Sequence, residues 1–179
     1  VDGEEVAVLR IALIGLRATG KTTLGRALAT RLGWEFADAD DRVEAMAGQS
    51  IAAIFATAGE GRFRDLEAEA IRQLCQRDRI VLATGGGAVL RAETRNLLNS
   101  TCHVVWLTAD VETMLARLEA DASTPGRRPS LTGLSPRAEI ERLIRDRRPL
   151  YAATAHRIVD TANRSADTIV SEILTPPAG

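Results

Sequence analysis

Residues Gly15-Leu16-Arg17-Ala18-Thr19-Gly20-Lys21-Thr22 read glycine, four residues, then Gly-Lys-Thr. That is the spacing of a phosphate loop. Glycines let the backbone fold tightly enough for its N–H groups to face phosphate oxygens. The helix that follows adds the positive end of its dipole. Lys21 supplies a point charge to the outer phosphates, and Thr22 offers a hydroxyl to Mg²⁺. A buried-type strand precedes the loop and an amphipathic helix follows it. That setting favours a nucleoside triphosphate over a chance strand-to-helix turn. The candidate nucleotide-binding residues are Gly15, Ala18, Thr19, Gly20, Lys21, Thr22 and Thr23.

Other residues have types and places that invite chemistry. Asp38 and Asp40 sit two apart at the end of a short strand, so an extended backbone points both to one side. Asp38 is placed to hold a water of Mg²⁺, and Asp40 to orient or deprotonate an alcohol. Capping of the next helix is the alternative, with Asp41 also available. Arg147 follows Ile140, Leu143 and Ile144 at helical spacing. It falls on the inward face, where a charge needs a partner unless the side chain snorkels to solvent. Arg64 has Glu67 three residues on. The two form either a plain surface ion pair or a guanidinium held ready for a carboxylate. Arg127 and Arg128 precede Pro129 in a loop-like stretch. One could reach over the phosphates as an arginine finger, or both could be solvated. Gly85, Gly86 and Gly87 allow a ligand close to the backbone, or simply make a tight turn.

The elements that must position these groups alternate strand and helix, which predicts a parallel sheet covered on both faces. Strands are expected at Val8–Ile14, Glu35–Ala37, Arg79–Thr84, His103–Leu107 and Arg157–Val159. Helices are expected at Gly20–Leu32 (capped by Gly33), Phe63–Cys75, 91–99, Val111–Glu119, from Ser135-Pro136 onward, and Ala166–Leu174. Residues 41–58 read as short helices. Residues 121–134, with their Pro, Gly, Ser and Thr, read as a mobile loop.

The 179 residues suit one domain spanning 1–179. A net charge of −1 does not favour nucleic acid or an anionic membrane as partner. No apolar run reaches bilayer length, and the acidic N-terminus does not read as a secretory signal. Cys75 and Cys102 lack metal-ligand spacing and read as reduced structural residues of a cytoplasmic protein.

Taken together, GLRATGKT, Asp38-Ala39-Asp40, FRDLE at 63–67, TGGGAV at 84–89, Arg128-Pro129 and Arg147-Arg148-Pro149-Leu150-Tyr151 resemble the shikimate kinase family. The resemblance runs from Ile11 to about Leu174. It implies a three-layer α/β P-loop kinase fold with a five-stranded parallel sheet, a helical substrate-binding segment at about 40–68 and a mobile lid at about 121–134. It implies transfer of the ATP γ-phosphate to the 3-hydroxyl of shikimate with Mg²⁺, in aromatic amino-acid biosynthesis, by a monomer. By matching position, Lys21, Asp40 and Arg128 are catalytic. Asp40, Arg64, Gly85, Gly86, Gly87 and Arg147 bind shikimate, with Glu67 orienting Arg64. Thr22 and, through water, Asp38 serve the metal, and Arg128 contacts the phosphates. Three departures stand out. Ala18 replaces a glycine common in the family, for which modest retuning is expected because a methyl permits most backbone conformations. Asp121 and Ala122 stand where an adenine-facing arginine is common, so Arg164 is a candidate for that contact. Arg17 has no assigned role. The rival readings are a kinase of another small acid such as gluconate, and a non-catalytic nucleotide-binding regulator.

Overall fold

The computed structural model describes residues 9–121 and 133–175. Its centre is a five-stranded, wholly parallel sheet in the order β2-β3-β1-β4-β5. The strands are β1 Arg10–Ile14, β2 Glu35–Asp38, β3 Ile80–Ala83, β4 His103–Thr108 and β5 Arg157–Asp160. The helices are α1 Lys21–Leu32, α2 Ala39–Ala47, α3 Ile51–Leu74, α4 Ala92–Thr101, α5 Val111–Ala120, α6 Pro136–Thr154 and α7 Ala166–Leu174, with a 3₁₀ turn at Ala88–Leu90.

Continuous apolar strands need cover on both faces, and two apolar layers supply it. On one face, Leu13, Val81, Val105 and Leu107 pack against Leu24 and Leu28 of α1 and Ile169, Val170 and Ile173 of α7. On the other, Ile14, Leu82 and Val104 meet Ile71, Leu98, Met114, Ile140 and Tyr151 from α3, α4, α5 and α6. Each fully buried Leu or Ile contributes about 1.5–3 kcal/mol relative to exposure. A satellite core of Val43, Ile51, Ile54, Phe63 and Ala70 joins α2 to α3. The expected three-layer α/β fold is the one observed.

β1 lies between β3 and β4, so chain direction across the sheet reverses beside it. Ligand crevices of open parallel sheets form at such points, outside the carboxyl ends of the strands. The phosphate loop leaves β1 there. Gly15 takes φ 141°, and a Cβ on it would stand 2.4 Å from the Leu107 carbonyl oxygen, so only glycine fits.

Several boundaries differ from expectation. β2 extends to Asp38, and α2 starts at once with Asp38 as its N-cap. The short helices expected before residue 58 and the one from Phe63 are instead α2 and a single long α3, kinked at Gly59 (φ 76°, ψ 175°). Glycine permits that backbone, and the burial of Ile51, Ile54, Phe63 and Ala70 in one core keeps both arms together. Gly33 and the Ser135-Pro136 start behave as their residue types dictate. Of the expected lid at 121–134, only Asp121, Gly133 and Leu134 are among the described residues; Arg127, Arg128 and Pro129 lie outside them.

Candidate active site

The larger cavity, about 580 Å³, opens over the phosphate loop. Ala18, Thr19, Gly20, Lys21, Thr22 and Thr23 line it from one side. Asp38 of β2, Asp40 of α2 and Thr84, just after β3, line it as well, as do Arg117, Asp121, Thr161 and Arg164. Lys21 donates from Nζ to the carbonyls of Gly15 (2.8 Å) and Leu16 (2.6 Å). Thr19 braces the same Leu16 carbonyl through its hydroxyl at 2.8 Å. Gly20 caps α1 in a left-handed conformation, which turns the first helical N–H groups toward the cavity.

Of the two readings of the carboxylates after β2, capping is observed for Asp38. Asp38 caps α2, its Oδ1 accepting from the Asp40 N–H at 3.0 Å. Its other oxygen accepts from the Thr22 hydroxyl, also at 3.0 Å. One residue therefore ends the strand, starts the helix and joins the phosphate loop. Burial first, and then the negative charge of Asp40, push the Asp38 carboxyl above its ordinary range, against the lowering pull of its two hydrogen bonds. The oxygens of Thr22, Asp38 and Asp40 thus form a hard, anionic corner beside the loop. That chemistry suits a divalent cation such as Mg²⁺. Among the described residues there is no cluster of three or more metal-ligating side chains.

A smaller cavity of about 50 Å³ adjoins this cleft and is lined by Leu16, Arg17, Phe63, Arg64, Gly86, Gly87, Glu139 and Arg147, among others. Arg17 lines both cavities. Arg147 is inward, as its spacing requires, and only 8% exposed, whereas Arg142, Arg145 and Arg148 face solvent. Among the described residues its guanidinium makes no hydrogen bond or ion pair. Arg64 donates to Glu67 (2.8 Å) and Glu60 (3.0 Å) and stands over the Phe63 ring. Burial opposes its charge, but Glu67 and Glu60 outweigh burial and hold it above its ordinary pKa. The pair is thus no solvated surface bridge, because the side chain of Glu67 is 3% exposed.

The glycine segment after β3 is shaped around this pair. A Cβ on Gly85 would stand 2.2 Å from Glu67 Oε1, and one on Gly87 would stand 2.2 Å from Arg64 Nη1. Tyr151 on α6 donates its hydroxyl to the Gly86 carbonyl at 2.5 Å, fixing the segment from the other side. Gly85 and Gly87 thus admit the Glu67 and Arg64 side chains against the backbone.

Two contributors escaped the sequence reading. Arg117 on α5 donates to the Ala18 carbonyl (3.1 Å), the Thr161 hydroxyl (3.0 Å) and the Thr161 carbonyl (2.8 Å). Thr161 is 1% exposed, and its hydroxyl lies 3.0 Å from the carbonyls of both Thr19 and Thr108. Together they tie the phosphate loop to the ends of β4 and β5. The signal for Arg117 was its place three residues after the buried Met114, which is an inward position like that of Arg147. Arg164 does reach the cleft, held by the Asp160 carbonyl and by Glu172. Ala18 lies at φ 62°, which corrects the premise that a methyl leaves this backbone conformation freely accessible. The loop demands the left-handed conformation that a Cβ disfavours by roughly 1–2 kcal/mol.

A sequence profile described as shikimate kinase matches residues 17–176. The shikimate kinase of Nitratidesulfovibrio vulgaris is 49% identical over 152 residues, covering 85% of this chain and 86% of that protein. The solved structure of shikimate kinase from Acinetobacter baumannii in complex with shikimate superposes with TM-score 0.87 at 37% identity, covering 94% of this chain and 92% of that one. A gluconokinase from Sinorhizobium meliloti 1021 shares the fold, with TM-score 0.58 and 16% identity over 93% of this chain and 90% of that one.

Proposed function

Because the chain belongs to the shikimate kinase family, we propose that its large cavity takes ATP and its small cavity the shikimate carboxylate. The enzyme moves the γ-phosphate to the 3-hydroxyl, giving shikimate 3-phosphate and ADP. The observation that carries this reading is Arg147: a guanidinium 8% exposed, with no partner among the described residues, in a cavity shared with Arg64. A buried cation in that state calls for an anion. The planar forks of two arginines suit a carboxylate.

Shikimate held there by Arg64 and Arg147 lies against the backbone of Gly86 and Gly87, which line the same cavity. Gly85 packs close to the Glu67 and Asp40 carboxylates. Asp40 takes the reacting hydroxyl, orienting it and accepting its proton. Lys21 leaves the Gly15 and Leu16 carbonyls for the outer phosphates. Thr22 and Asp38 are the residues that would hold Mg²⁺. When bound, that ion neutralises charge building on the outer phosphates. Arg128, by family resemblance, adds a cation from the lid. Arg117 and Arg164 flank the nucleoside end of the cleft. Phosphoryl transfer through a loose transition state needs mainly this alignment and charge.

A coupled ADP-release assay with ATP and Mg²⁺, run with shikimate, with gluconate and with neither, tests the assignment. Turnover is expected with shikimate alone. Preference for gluconate would transfer the acceptor site to another acid; no turnover with either would favour a nucleotide-binding regulator. The likeness to a gluconokinase at 16% identity speaks of the fold only. No helix among the described residues is long and apolar enough to cross a membrane.

A further inference from the structure

Arg17 is the phosphate-loop residue that the reaction above leaves unused. Its Nη2 donates to Glu139 Oε2 at 2.8 Å, across 122 positions of sequence. The Glu139 side chain is 3% exposed, a burial that a carboxylate tolerates only with a partner. Glu139, Leu143 and Arg147 follow at four-residue steps on one row of α6, and all three line the small cavity. One ion pair therefore joins the loop that carries phosphate to the helix that carries the carboxylate grip.

Both ends of this link are set to respond to ligands. Arg17 follows Leu16, whose carbonyl accepts from Lys21 at 2.6 Å and from Thr19 at 2.8 Å. Lys21 must leave that carbonyl to reach phosphate, which removes a hydrogen bond from the peptide that joins Leu16 to Arg17. The Arg17 Nε is buried and makes no hydrogen bond, so the present arrangement leaves this guanidinium incompletely satisfied. At the other end, an anion on Arg147 draws on the same row of α6 that holds Glu139. Displacing Arg17 takes one partner from the buried Glu139 carboxylate, which is costly, so a shift at one end favours a shift at the other.

Building on the assignment of the two cavities to ATP and shikimate, we infer that the Arg17–Glu139 pair couples the sites. Arg17 is a positioning residue through which nucleotide on the loop changes the affinity of the acceptor grip, and the reverse. Titration calorimetry on the full chain tests this, with shikimate titrated in the presence and absence of saturating Mg²⁺–ADP. In the wild type the nucleotide is expected to change the shikimate Kd by about 5-fold or more, and shikimate to change the ADP Kd by the same factor. R17M and E139Q should each bring both ratios to about one, and the double variant should match the singles. R17K should restore part of the coupling, because a point charge still meets the carboxylate. Thermal melts identify any variant that fails to fold; R17M, altered on a loop, decides the question if E139Q is lost. Equal weakening of both ligands with unchanged ratios would mark a purely structural pair and overturn the inference, as would a wild type without coupling. Absence of shikimate binding to the wild type would overturn the cavity assignment, and the link with it.

Discussion

Gly87→Ala tests the acceptor site with one methyl group. Gly87 has φ −99° and ψ 0°, which alanine also adopts, so the backbone has no reason to change. The added Cβ, however, would stand 2.2 Å from Arg64 Nη1 and 2.4 Å from Cζ and Nη2. Ordinary contact begins near 3.4 Å, so the guanidinium must retreat by more than about 1 Å. It is the far end of a flexible side chain, so the movement is feasible and the fold should survive. The retreat takes Arg64 away from the 2.8 Å bond that Glu67 uses to hold it. A hydrogen bond to a charged group contributes about 1.5–3 kcal/mol. The shikimate KM should therefore rise about 10- to 150-fold. The KM for ATP should change little, because Arg64 does not line the large cavity. Gly61→Ala is the control. It makes the same chemical change within α3, where an added Cβ meets nothing within 4 Å, and it should raise stability by about 0.5–1 kcal/mol. Steady-state ADP release with each substrate varied, beside a thermal melt, reads all of these. A folded Gly87→Ala enzyme with a normal shikimate KM would refute the reasoning that this glycine exists to admit Arg64.

Asp40→Asn should lower kcat by about 10²–10⁴-fold while leaving ATP affinity intact, as equilibrium nucleotide binding will show; lost ATP binding would return Asp40 to a role in fold or metal. For Asp38, the folded pKa lies above the unfolded value, so its stabilising contribution is complete below the ordinary 3.8 and is lost as pH rises through the folded pKa. Asp38→Asn should therefore raise Tm at pH 7 with a gain that shrinks toward pH 4, while Mg²⁺-dependent turnover falls; a Tm difference independent of pH would contradict this. Ala18→Gly relieves a left-handed alanine, worth roughly 1–2 kcal/mol, against about 0.4–1 kcal/mol of added unfolded-state entropy. Urea denaturation should show a gain of up to about 1.5 kcal/mol, and a loss would mean that the φ of 62° carries no strain. Arg128→Ala should reduce kcat by up to ~10³-fold or more with little change in shikimate Kd; an unchanged kcat would remove Arg128 from the phosphates.

What could be read from the sequence was read where the physics is local. The phosphate loop is contiguous, so its chemistry was legible from Gly15 to Thr22. Helical spacing told the inward Arg147 from the outward Arg142, Arg145 and Arg148, because a 3.6-residue period fixes which face a residue occupies. Gly33 and Ser135-Pro136 marked helix ends through backbone conformations that those residue types favour. Arg64 with Glu67 was visible as a pair, but its burial was not, since that depends on what packs over it.

Tertiary structure decided the rest. No local pattern states that α3 bends at Gly59 to bring both arms into one core. Nor does any local pattern bring Arg117 to the Ala18 carbonyl across 99 positions. Arg17 shows the difference most plainly. In the sequence it is an unassigned charge inside a familiar loop, because its partner Glu139 lies 122 residues away. Parallel strands place β1 beside β4, and α6 packs back over that sheet face, so the carboxylate is buried next to the loop. The chain by itself specifies which groups can do the chemistry. Only the packed sheet and helices, by excluding water and crossing long sequence separations, decide which of those groups meet.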